Sequence, residues 1–135
     1  MCLITCQKHP ITNNKSIKAY KVIAIAPYNN FFLGVIMGFV KYRAPFYRGF
    51  DYTRFIHFHF TVSGPIPKAT SNTVNQGFHL YLDLESAKNI KKHYDLYNCW
   101  VIFECEIPIG SKYFVSYDNT EICTNRFKFK KKLKI

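Results

Sequence analysis

Three stretches of the chain alternate side chains with a period of two, and that spacing commits much of the molecule to a sheet. In residues 55–62, Ile56, Phe58, Phe60 and Val62 share one face and Phe55, His57, His59 and Thr61 the other. In residues 99–107, Cys99, Val101, Phe103, Cys105 and Ile107 oppose Trp100, Ile102, Glu104 and Glu106. In residues 126–135 every even position is basic, and the odd ones are apolar except Lys131.

Further strands are expected over residues 20–26, 77–82 and 113–117, with a last strand from Glu121 onward. Residues 31–43 are apolar and β-prone, interrupted by Gly34 and Gly38, and predict a kinked or bulged strand. Pro27-Tyr28-Asn29-Asn30, Pro108-Ile109-Gly110 and Asp118-Asn119 mark turns, while residues 44–54 and 63–76 read as loops. One segment has helical spacing: Asp83 caps it, Leu84, Ala87, Ile90, Tyr94 and Tyr97 form its apolar side, and Lys88, Lys91 and Lys92 its polar side. The fold class that follows is α+β, a mostly antiparallel twisted sheet of six to seven strands with one main helix. Residues 1–18 are polar and read as an irregular arm, leaving 19–135 as a single domain.

The charge is strong and segregated. The 135 residues carry 19 Lys plus Arg against 8 Asp plus Glu, a formal +11. Residues 1–82 hold nine cations and one acid, Asp51; residues 83–125 hold four lysines and seven acids; the last ten residues hold six cations and no acid. Two basic ends around an acidic middle build a directional field, and a polyanion is the partner class that such a field attracts. The longest apolar run, residues 31–40, is ten residues, too short to span a bilayer as a helix, and no membrane partner is expected. The N-terminus has no basic flank before an apolar stretch, and the five cysteines are irregularly spaced, which together suggest reduced thiols and a cytoplasmic location.

Two segments combine charge with a geometry suited to nucleic acid. As a strand, the C-terminal segment sets Arg126, Lys128, Lys130, Lys132 and Lys134 on one face. Their spacing would be about 6.6 Å, a pitch that suits an extended phosphodiester backbone. An edge strand guarded by lysines against aggregation would carry the same pattern. Residues 39–60 interleave nine rings with Lys41, Arg43, Arg48 and Arg54. Tyr47 and Tyr52, in the expected loop, are candidates to stack unpaired bases, each contact contributing about 1–3 kcal/mol, although such rings also build cores. The candidate nucleic-acid contacts are therefore Lys41, Arg43, Tyr47, Arg48, Tyr52, Arg54, Arg126, Lys128, Lys130 and Lys132.

Signals for catalysis are thin. His57 and His59 share a strand face, and Cys2, Cys6 and His9 have ligand-like spacing, but neither group reaches the four donors of a closed metal site. His59-Phe60-Thr61 matches one half of the paired His-x-Thr signature of two-histidine phosphoesterases, and no second copy occurs. Cys2 would become an N-terminal nucleophile on removal of Met1, yet amidohydrolases of that type need far more chain. Cys99 and Cys105 read as small core residues. Glu104 and Glu106 share a face, either as an acid pair or as a lysine-paired sheet surface. No cofactor and no metal is expected.

The order of Met1-Cys2-Leu3-Ile4, Tyr20-Lys21-Val22, Gly77-Phe78-His79, Leu84-Glu85-Ser86-Ala87, Ile107-Pro108-Ile109-Gly110-Ser111 and the closing basic strand resembles a loosely defined group of small bacterial and phage proteins. Accessory proteins of that sort include anti-CRISPR inhibitors. The resemblance implies a non-enzymatic counter-defence factor that engages RNA, a guide RNA or its ribonucleoprotein effector. Gly77-Phe78-His79-Leu80-Tyr81-Leu82 with the Ala87 helix is also similar to ADP-ribosyltransferase folds. That likeness implies an alternative, an NAD-using enzyme with His79, Tyr81 and Glu121. It departs from the family pattern at Tyr20-Lys21-Val22, where an Arg or His is expected, and has only Glu121 as its late glutamate. A module binding an acidic protein partner is the third expectation.

Overall fold

The computed structural model describes residues 3–24, 60–74, 76–94 and 100–134. Within them are eleven strands and one helix. The strands are β1 (Leu3–Ile4), β2 (Ile11–Thr12), β3 (Ile17–Ala24), β4 (Thr61–Ser63), β5 (Ala69–Thr70), β6 (Thr73–Val74), β7 (Phe78–Tyr81), β8 (Trp100–Ile107), β9 (Lys112–Val115), β10 (Glu121–Thr124) and β11 (Arg126–Leu133). The helix, α1, runs from Leu84 to Tyr94, between β7 and β8. Eight strands form one sheet in the order β2-β9-β10-β7-β3-β8-β11-β4, and β1-β6-β5 form a second. Every pairing is antiparallel.

Among the described residues the mostly antiparallel sheet and its one helix agree with the expected α+β class, but these residues alone hold eleven strands rather than six or seven, while the strand expected over 31–43 and most of that over 55–62 lie outside them. Four of the additional strands are only two residues long and fall where arm or loop was expected. Two residues are too few to show a period, so no alternation announces them. The N-terminal segment is fastened by polar contacts: Thr5 Oγ1 donates to Val115 O at 2.7 Å, Val115 N to Gln7 Oε1 at 2.7 Å, and Tyr117 N to Ile4 O at 2.9 Å. The stretch expected as one last strand divides at Asn125 into β10 and β11, which lie far apart in the sheet order.

That division requires the large sheet to curl. Strands β10 and β11 are joined by Asn125 alone, yet β7, β3 and β8 separate them in the hydrogen-bonded order. In a flat sheet, β7 and β11 would be about 14 Å apart, three spacings of 4.7–4.9 Å. Phe78 on β7 and Phe127 on β11 instead meet edge to face with ring centroids 5.1 Å apart. Asn125 holds the corner. Its N–H donates to Lys112 O at 3.2 Å, its carbonyl accepts from Gly64 N at 2.8 Å, and its side-chain oxygen accepts from Lys112 N at 2.8 Å.

Inside the curl lies the main core, which includes Ala19, Ile23, Phe78, Leu80, Phe103, Cys105, Ile107, Ile122, Phe127 and Phe129. The outer face is covered in two places. Leu3 and Val74 of the small sheet pack on Phe114 and Cys123, and Ala87 of α1 packs with Val22, Tyr81 and Ile102. Asp83 caps the helix as expected, accepting from Ser86 N at 2.9 Å and Ser86 Oγ at 2.7 Å. Among the described residues no helix is long and apolar enough to cross a membrane.

Gly77 leads into β7 at φ +100°, and a Cβ built there would sit 2.6 Å from Cys123 Sγ and 3.2 Å from Thr124 O. Gly77→Ala should therefore destabilise the protein by about 2–4 kcal/mol, combining left-handed strain with overpacking. Denaturant unfolding measures this. At the β9–β10 turn, Asp118 accepts hydrogen bonds from the Ser116 and Thr120 hydroxyls and the Thr120 N–H. The Ser116 bond first, then those from Thr120, hold its carboxyl below the ordinary value of 3.8. A depressed folded pKa adds stability that is complete above 3.8 and lost as pH falls through the lowered value. Urea unfolding from pH 7 to pH 2 should accordingly show the gap between wild type and Asp118→Asn closing at the acid end.

Candidate nucleic-acid interface

The basic strand β11 lies between β8 and the short strand β4. Its register with β8 is Lys128↔Glu106 and Phe129↔Cys105, then Lys131↔Glu104, Lys132↔Phe103 and Leu133↔Ile102. Lys130 is thus the extra residue of a β-bulge, and the bulge reverses which side chains face which way. Lys131 therefore joins Lys128 on the outer face, beside the glutamates, whereas Lys132 is paired with a core phenylalanine. Leu133, by the same shift, packs in the Val22–Ala87–Ile102 cluster under α1.

The expected single row of Arg126, Lys128, Lys130, Lys132 and Lys134 does not form. An uninterrupted alternation would have kept those positions together, and a bulge inserts one residue that the alternation does not reveal. Arg126 is also engaged elsewhere. Its Nη2 donates to Ile109 O at 2.7 Å and its Nε to Ser111 Oγ at 3.4 Å, fastening the β8–β9 turn.

Carboxylates lie directly against this strand. Glu106 stands between Lys18 of β3 and Lys128 of β11 in register, and Glu104 between Tyr20 and Lys131. The ion pairs here run diagonally: Lys18 Nζ to Glu104 Oε1 at 3.8 Å, and Lys130 Nζ to Glu106 Oε2 at 3.6 Å. Both lysines are substantially exposed, 66% and 44% by side chain, so each pair contributes only about 0.2–1 kcal/mol. A cleft of about 190 Å³ lies among Ser16, Lys18, Glu104, Glu106 and Lys130. Of the two readings the sequence left open for Glu104 and Glu106, the lysine-paired surface is the one observed.

This outer face thus carries Lys18, Lys128, Lys130 and Lys131 against two glutamates, with Lys132 and Lys134 exposed at the end of the strand. Lys18 and Lys131 were absent from the sequence-predicted set. Lys18 fell in the expected arm, and Lys131 was the one residue out of phase in the alternation, a signal of the bulge in retrospect. Lys41, Arg43, Tyr47, Arg48, Tyr52 and Arg54 lie outside the described residues, as do His57 and His59.

The residues named for an NAD site come together only partly. Tyr81 is the register partner of Glu121, and His79 that of Cys123. His79 and Tyr81 are buried, at 4% and 7% exposure, Tyr81 within the cluster under α1. His79 Nε2 is 3.7 Å from Cys123 Sγ, and the thiol contacts Gln76 O at 2.7 Å. Among the described residues no three His, Cys, Asp or Glu side chains gather as a metal site. No family model, no curated protein and no solved structure matches the chain.

Burial pushes the Cys105 thiol well above its ordinary range, with Lys21 opposing, and does the same to Cys123. Cys105 is the small core residue its alternation suggested; Cys99 lies outside the described residues. Cys6 is exposed. Iodoacetamide labelling of the native protein followed by peptide mass mapping should modify Cys6 within minutes and leave Cys105 and Cys123 unlabelled until denaturant is added.

Proposed function

We propose that the protein is a non-catalytic, cytoplasmic binder of single-stranded RNA, free or held within a ribonucleoprotein, and that β11 and its neighbours are the contact surface. The observation that carries the reading is the excess of cations there: four lysines share the outer face with two glutamates, and Lys132 and Lys134 extend the strand beyond them. Cations on adjacent strands of an exposed sheet follow an extended phosphate chain without needing a duplex groove. Weak surface ion pairs leave those cations retrievable by a polyanion. The aromatic–basic segment of residues 41–54 adds stacking rings and further charge on sequence grounds.

The counter-defence role implied by the resemblance is the narrower form of this proposal, with a guide RNA and its effector as the polyanion. Co-purification on a guide-loaded effector, but not on RNA-free effector, is the result that would support it.

Gel-shift titration with a 20-nucleotide oligouridylate at several salt concentrations tests the broader reading, the probe being longer than the roughly 4–16 nucleotides that a single-strand site covers. Micromolar or tighter binding is expected, with log affinity falling linearly in log salt. The variant Lys128→Gln/Lys130→Gln/Lys131→Gln/Lys132→Gln should weaken binding by about tenfold or more while retaining the wild-type circular dichroism spectrum. Absence of binding at low salt, or nuclease-resistant capture of an acidic protein instead, would overturn it.

A further inference from the structure

We infer that Glu104 and Glu106 act as internal competitors for the phosphates, so that polyanion binding at β11 exchanges carboxylates for phosphates on the same lysines. The inference rests on the RNA-binding reading above and concerns its regulation and salt response.

The geometry places the glutamates where a competitor must be. They project from alternate positions of β8, about 6.6 Å apart along the strand, a separation close to the pitch at which β11 would present its cations to successive phosphates. Each is bracketed across the sheet, Glu106 between Lys18 and Lys128, Glu104 between Tyr20 and Lys131. Their carboxylates reach Lys130 Nζ at 3.6 Å and Lys18 Nζ at 3.8 Å. Both glutamates are partly exposed, 21% and 37% by side chain, and both line the cleft with Lys18 and Lys130, so solvent and ligand have access to the pairs.

Salt screens the lysine–glutamate pairs as well as the lysine–phosphate contacts. The condensed cation of each contacted phosphate is released in either case, at about 0.7 per contact on a single strand, but raising the salt also weakens the internal competitor and so partly offsets the loss of phosphate binding. The salt slope of wild-type binding should therefore be shallower than that of variants lacking the carboxylates.

The test compares wild type, Glu104→Gln, Glu106→Gln, the double variant and Glu85→Gln, all titrated with the same oligouridylate across a salt series. Glu85 is the control, because it gives the same charge change on α1, where it pairs with Lys88 at 3.6 Å. Each of the two single variants at β8 should tighten binding by up to about fivefold at low salt. The double variant should tighten binding further and steepen the log–log salt slope. Glu85→Gln should leave the slope unchanged. The single variants keep the inference testable if the double variant fails to fold. Wild-type binding with unaltered slope and affinity in the β8 variants would overturn the inference alone, as would an equal gain from Glu85→Gln. Failure of wild type to bind would overturn the RNA reading and the inference together.

Discussion

The one-residue connection at Asn125 is the constraint on which the rest of the structure depends. Two strands that are neighbours in sequence belong to distant positions in one sheet, and only strong curling brings their ends together. Curling turns one face into an enclosed interior, where Phe78, Phe127, Phe129 and Phe103 stack edge to face in a chain of contacts 5.0–5.2 Å apart. The aromatic content thereby finds a core in a small protein. Asn125 also bonds toward both Lys112 and Gly64, so β9 and the end of β4 meet at the same corner although they lie near opposite edges of the sheet.

What the curl encloses also determines what remains outside. The outer face is covered by the small sheet at one end and by α1 near the middle. The remaining part is the strip of β3, β8 and β11 carrying Lys18, Glu104, Glu106, Lys128 and Lys131. The bulge at Lys130 is the local device that reconciles two demands on β11. Phe127 and Phe129 must point into the interior, while Leu133, four residues on, must point outward to pack beneath α1. An even count between Phe129 and Leu133 would send both the same way, and one inserted residue reverses the parity.

The lysines of this face do not form an unopposed row. The strand's charge is partly neutralised by its own neighbour, in exposed pairs too weak to exclude a polyanion. Under the proposed reading, those carboxylates are what a bound polyanion would displace. His79 and Tyr81 are buried, and the register sets Tyr81 beside Glu121.

The sequence alone determined the elements whose spacing is long enough to show a period: the alternation of β8, the Asp83-capped helix, the turns at residues 108–110 and 118–119, and the antiparallel character that follows. It determined the net charge and its segregation as well, since those depend on composition and order. Two-residue strands stayed hidden because two residues have no period, and the break at Asn125 because a polar residue inside a strand-like run is locally unremarked. The bulge left a single trace, the out-of-phase Lys131; positions 127, 129, 133 and 135 are apolar on both sides of it, so the alternation does not show that the faces switch. Which cations stand together, and which carboxylates stand against them, was decided by cross-strand register, a relation between segments dozens of residues apart that no local pattern encodes.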